Sequence, residues 1–186
     1  MTEDNPYVNV IPPQYVSVLL KIHSKLDGKG VWWALCGDLA EALGAVRVSP
    51  SCVEIVTSKE GAEQIYQAVL DFSPDPISLR IEQLPRKAVV NGAEYSVSVR
   101  SYGFEFKVDS TPVKVYGNLQ YRLDDWEWGD KFEFDPRVVY IVNKPTNVEP
   151  INVALDLYQA LGWVDRVDKI RWVLETRKLA PRPLRR

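Results

Sequence analysis

The residues with the clearest chemical possibilities lie in two neighbouring runs. The first is Ala34-Leu35-Cys36-Gly37-Asp38-Leu39-Ala40-Glu41-Ala42-Leu43-Gly44, and the second extends from Val46-Arg47-Val48-Ser49-Pro50-Ser51 to Cys52-Val53-Glu54-Ile55-Val56-Thr57-Ser58. Gly37-Asp38 follows an apolar run and reads as a strand–helix junction. A glycine there lets backbone N–H groups and the helix dipole approach an anion. Asp38 suits the helix start as a cap, yet its charge repels a phosphate. Cys52 and Glu54 are two residues apart, so on a strand their side chains share one face. Two carboxylates so placed hold a hard cation, but here only Glu54 is a carboxylate and Cys52 is a soft thiol.

Other candidates are scattered. Cys36 and Cys52 are the only cysteines, too few for a disulfide framework or a self-contained zinc site. They read first as core thiols in neighbouring strands. His23 has no Asp, Ser or Cys at a suggestive spacing and receives no catalytic role. Trp126 and Trp128 alternate with Asp124, Asp125 and Glu127. Aromatic rings stack on bases, but the surrounding negative charge favours a loop that contacts protein or packs on itself. The basic residues Arg182, Arg185 and Arg186 end the chain and read either as a solvated tail or as a contact for nucleic acid or an acidic partner.

These residues need elements to position them. Pro12-Pro13 opens a helix in which Tyr15, Val18, Leu19, Ile22 and Leu26 repeat at helical spacing, and Gly28 and Gly30 end it. Val31–Cys36 reads as a buried strand, Asp38–Leu43 as a short helix, and Cys52–Val56 as a strand rich in β-branched residues. Ser58 is the expected N-cap of a helix over Gly61–Phe72, with Ile65, Ala68, Val69 and Phe72 on its apolar stripe. Short strands follow at Ile77–Glu82, Ala93–Arg100, Phe104–Val108 and Val113–Tyr116, with hairpin turns expected at Asn91-Gly92 and Tyr102-Gly103. Asp109 falls in a further turn. After Gly117 a polar loop leads to Phe132–Phe134 and Val138–Val142. Helices over Pro150–Leu161 and Val164–Arg177, hinged at Gly162, close the fold.

Bulk properties narrow the classes. The chain has 186 residues, 46% of them hydrophobic, and a formal net charge of -2. That suffices for one compact domain, expected over residues 1–178 with a helical end from about 149 and a basic tail over 179–186. No apolar run approaches the roughly 20 residues that cross a bilayer, and the acidic N-terminus is unlike a secretory signal. The expectation is a cytoplasmic protein with no membrane partner. No internal repeat is evident.

The two runs together resemble the core of the nucleotidyltransferase superfamily, including its tRNA-tailing and minimal antitoxin-type members. In that superfamily a strand ends in Gly-Gly or Gly-Ser at a helix start. A second strand, commonly preceded by a basic residue and Pro or Thr, bears two Asp separated by one apolar residue, and a later strand brings a third carboxylate. Metal ions held there bind the phosphates and activate the attacking hydroxyl. The resemblance implies that Gly37 is the motif glycine, Asp38 stands in the place of Ser or Gly, and Arg47 marks the front of the cleft. It sets Cys52 and Glu54 at the two Asp positions and Lys114 at the third carboxylate. Gly37, Asp38, Arg47 and Lys114 are thus the expected nucleotide-binding positions and Glu54 the catalytic one. Glu54 and Asp38 are the only candidates for a metal.

A weaker likeness runs from Ala154 to Ile170, which looks like the closing helices of abortive-infection-type nucleotidyltransferases, with Trp163 where those have Arg. The implied fold is α+β, a mixed sheet flanked by helices with further helices at the C-terminus. The implied function is a catalytically degenerate member that binds a nucleotide, a nucleic acid such as RNA, or a protein partner, with no cofactor assigned. Two alternatives stay open. One is an active enzyme, requiring Mg²⁺, that uses Glu54 with Asp38 or Asp109. The other is an interaction module that forms a homodimer through the Trp126–Trp128 loop. Glu54 itself reads equally well as a metal ligand and as a satisfied strand residue.

Overall fold

A computed structural model of the protein describes residues 11–179, the side chains of 177–179 excepted. The first helix, α1 (Pro13–Leu26), buries Tyr15, Val18, Leu19, Ile22 and Leu26, the stripe its spacing requires. Then come β1 (Ala34–Cys36), α2 (Gly37–Leu43) and β2 (Val53–Thr57). Ser58 Oγ accepts the Gly61 N–H at 2.9 Å and so caps α3 (Lys59–Ala68), which a 3₁₀ turn over Leu70–Phe72 extends. The middle of the chain supplies β3 (Ser78–Gln83), β4 (Ala88–Val90), β5 (Ala93–Tyr95), β6 (Val97–Val108) and β7 (Thr111–Leu123). The chain closes with β8 (Arg137–Ile141), β9 (Lys144–Val148), α4 (Ile151–Ala160) and α5 (Val164–Leu179).

Seven strands form one mixed sheet in the order β3-β6-β7-β2-β1-β9-β8, and β4 and β5 make a separate hairpin. β2 runs parallel to β7 and antiparallel to β1, while β1 runs parallel to β9. The alternation of β2 divides the molecule into layers. Val53 and Ile55 enter the main core beneath α1 and α3, with Leu35, Val113, Val115 and Phe104. Val56 points the other way, toward Ala34, Cys36, Val99 and Leu119. Between the pairs Arg100↔Gln120 and Tyr102↔Gly117, β7 has one more residue than β6. This bulge, with Asn118 at φ 51°, turns β7 over. Val115 therefore faces the helices while Leu119 faces the opposite layer.

Several expected boundaries move. Tyr102-Gly103 is not a turn but the middle of β6, where Gly103 pairs with Tyr116. Its glycine serves close approach, since a Cβ would lie 2.0 Å from Val115 O. The turn between these long strands is Asp109-Ser110, with φ of 49° and 68°. Phe132–Phe134 forms no strand; both rings pack edge-on over the sheet, Phe132 on Tyr121 and Phe134 on Trp32. The strand expected from Val31 begins only at Ala34, and the helix expected to Phe72 ends at Ala68. β4 and β9 were not expected. Among the described residues no helix is long and apolar enough to cross a membrane.

Candidate functional site

The alternation that sends Val53 and Ile55 into the core leaves Glu54 on the opposite face of the sheet. There it belongs to a row running across four strands. Cys36 pairs with Glu54, Glu54 with Lys114, and Lys114 with Glu105. Lys114 lies directly beside Glu54 in the ladder, but its Nζ approaches Glu105 Oε1, at 3.7 Å. Arg80 reaches the same oxygen at 3.4 Å. The Tyr116 hydroxyl, on the same face of β7, donates to Glu54 Oε1 at 3.3 Å.

Gly37 joins β1 to α2 at φ 65°, and a Cβ built on it would stand 2.0 Å from Glu54 Oε2. The position thus demands glycine twice, for its backbone and for the carboxylate packed against it. The Gly37 N–H donates to Glu149 Oε2 at 3.3 Å. Glu149 follows β9, the parallel neighbour of β1, and is 5% exposed. The turn that in the superfamily receives a phosphate here holds a carboxylate from within the chain.

One turn along α2, Glu41 is 2% exposed. It accepts hydrogen bonds from the Tyr158 hydroxyl of α4 and, at 3.0 Å, from Arg166 Nη1 of α5. Arg166 also pairs with Asp38 at 2.7 Å. This network ties the C-terminal helical pair to α2 and sets it over the sheet as a roof. Beneath it lies a cavity of about 190 Å³ whose lining includes Cys36, Gly37, Asp38, Glu54, Glu149 and Arg166. Tyr116, Tyr121, Phe132, Tyr158 and Trp163 supply aromatic walls. The volume is below the roughly 300–1,000 Å³ of ordinary small-molecule sites.

Electrostatics in this space favour neutral acids. Burial pushes the Glu149 carboxyl up to about 8, and nearby Glu41 and Glu54 add to the shift against the Gly37 hydrogen bond. Burial also raises Glu54, helped by Asp38 and opposed by Tyr116 and Lys114. Glu41 is raised by burial despite its bonds to Tyr158 and Arg166. The Cys36 thiol lies well above its ordinary range through burial and then Glu54. Among the described residues no group of three or more His, Cys, Asp and Glu is placed to hold a metal ion.

The structure thus brings Gly37, Asp38 and Glu54 to one cavity, and sends the other expected residues elsewhere. Lys114 turns toward Glu105 and is outside the lining. Arg47 is exposed, its guanidinium 5.5 Å from the Trp172 ring centre. Asp109 pairs with Lys21 of α1, which removes it from any joint role with Glu54. His23 is buried between Thr146 and Asp27, beside the Trp33 ring. The tryptophan loop packs on its own chain: Arg100 and Arg122 of the main sheet each sit 4.6 Å from the Trp128 ring centre, and Trp126 meets Tyr95 of the β4-β5 hairpin edge-on. Arg182, Arg185 and Arg186 lie outside the described residues. Sequence reasoning missed Glu149, Glu41, Tyr116, Tyr158 and Arg166. Their one signal is polar side chains set among apolar neighbours in segments far apart in the chain.

No protein-family model matches the chain, and no curated protein does. Solved structures do. A Thermotoga maritima protein assigned as a nucleotidyltransferase superposes with a TM-score of 0.63 and 26% identity, covering 89% of this chain and 96% of that one. The aminoglycoside nucleotidyltransferase ANT(2″)-Ia, solved with adenylyl-2″-tobramycin, superposes with a TM-score of 0.51 and 11% identity over 88% and 89% of the two chains. The fold is that of the nucleotidyltransferase superfamily.

Proposed function

We propose that this chain uses the nucleotidyltransferase fold to bind a ligand or partner, and that metal-dependent nucleotidyl transfer has been lost. The observation that supports this most is the pairing of Lys114 with Glu54 on adjacent strands. With Cys52 at the first position, the three places the resemblance gives to carboxylates hold a thiol, one carboxylate and an ammonium. Mg²⁺ needs several hard oxygen ligands, so this donor set does not fit it, and no step is routed through a metal. The Gly37 N–H, the natural donor to a phosphate, is engaged by Glu149.

A nucleotide is the ligand class that the structural neighbours suggest, with a nucleic acid or protein partner as the other candidates, in a cytoplasmic setting. Calorimetric titration with each of the four nucleoside triphosphates, with and without Mg²⁺, followed by a radiolabel transfer assay, tests the reading. The expected result is no metal-dependent incorporation. Robust incorporation overturns it.

A second reading has one specific observation behind it: Asp38, Glu54 and Glu149 line the same cavity. If they act as a non-standard metal set, Glu54→Gln and Glu149→Gln each abolish incorporation that the unaltered protein displays with Mn²⁺.

A further inference from the structure

We propose that the cavity bounded by Gly37, Glu54 and Glu149 binds a small organic cation, its ammonium group seated between the two glutamates and its carbon chain against the aromatic walls. The inference rests on the reading that this site does not carry out metal-dependent transfer. Three features support it.

The first is shape, a cleft between two walls. The sheet, with Tyr116, forms one wall, and α4 and α5, with Tyr158 and Trp163, form the other. Its volume, about 190 Å³, is on the scale of a small ligand.

The second is unmet polar capacity. Cys36 and Glu149 are each 5% exposed and line the cavity. Among the described residues the Cys36 thiol has no hydrogen-bond partner. Glu149 receives only the Gly37 N–H, on Oε2, which leaves Oε1 without a donor. Glu54 has only the 3.3 Å bond from Tyr116. Both carboxyl groups thus face the cavity with acceptor capacity to spare, and an ammonium group brings three donors together with a positive charge.

The third is the disposition of the protein's own cations. Arg166 is held by Asp38 and Glu41, and Lys114 by Glu105. Neither forms an ion pair with Glu54 or Glu149. Once the two acids are ionised, an anionic ligand meets repulsion in this space and a neutral one supplies no countercharge. A cation gains from both glutamates and from the ring faces beside them.

The test is calorimetric titration of the full chain with n-butylammonium, with n-butanol and butyrate as neutral and anionic counterparts, in buffer above the range in which Glu149 keeps its proton. Amide and indole NMR shifts are followed in parallel. The expected result is saturable binding of n-butylammonium alone, with shifts at the Gly37 amide and the Trp163 indole. Glu149→Gln weakens binding by about tenfold or more, whereas Lys87→Ala binds as the unaltered protein does. If Glu149→Gln fails to fold, Glu54→Gln is read in its place. No saturable binding, an equal response to n-butanol, shifts confined to other residues, or indifference to both glutamine substitutions would overturn the proposal. A nucleotide-transfer assay on the same preparation separates the two levels. Absence of both transfer and amine binding sinks the cation site alone, whereas metal-dependent transfer sinks the reading beneath it.

Discussion

The two faces of β2 follow different rules. On one, Val53 and Ile55 are fully buried against α1, α3 and the rings of Phe104 and Phe106. On the other, Glu54 stands between Cys36 and Lys114 beneath a roof tied down by Arg166. Apolar burial on the first face favours folding at about 25 cal/mol per Å². Burial of acids on the second opposes it, since each must stay protonated or find a partner. Because side chains alternate, the second face is free to change chemically while the first holds the register.

The largest effect that sharpens this contrast is expected at Phe104, fully buried on the helical side. Phe104→Ala should cost about 3–5 kcal/mol in chemical denaturation. A loss under about 1 kcal/mol would mean that the core is not where the contrast puts it. Next, Arg166→Ala leaves the buried Glu41 without its cation and should cost about 2–3 kcal/mol. Arg166 and Glu41 should couple in a double-mutant cycle, and additivity would separate the helical roof from α2. Gly37→Ala should cost about 2 kcal/mol, from its φ of 65° and from contact with Glu54. Adding Glu54→Ala should recover the contact part but not the backbone part.

The acids also give the site face a pH signature. Glu149 rises from 4.5 to about 8 on folding, so between those values the folded state holds a proton that the unfolded state has released. Its contribution is complete below pH 4.5 and lost as pH rises through about 8, with a slope of about 1 kcal/mol per pH unit. Denaturation of the unaltered protein and of Glu149→Gln across this window should diverge with that sign. The smallest effect belongs to neither face: Lys87→Ala breaks an exposed pair with Glu94 and should change stability by no more than about 0.5 kcal/mol.

Much of the fold is legible from local physics alone. The spacing of Tyr15, Val18, Leu19 and Ile22 gives α1, Ser58 marks the start of α3, and the β-branched run at Val53–Val56 gives β2. Lys144–Val148 carries Pro145 and Asn147, which disfavour strand, so β9 depends on its pairing with β1 and β8. Gly103 carries a turn signal that tertiary packing overrides. In the site, Gly37, Asp38 and Glu54 stand close in sequence and were visible together. Glu149 and Arg166 arrive from more than a hundred residues away, and no local pattern couples them to Gly37.

On the proposed reading, the nucleotidyltransferase fold of this chain has no tight site for a divalent metal. Titration with Mn²⁺, followed by the electron paramagnetic resonance signal of the free ion, addresses it directly. The free signal is expected to rise in proportion to added Mn²⁺, with no tight site, and Glu54→Gln is expected to change nothing. A stoichiometric loss of signal, abolished by Glu54→Gln or Glu149→Gln, would contradict it.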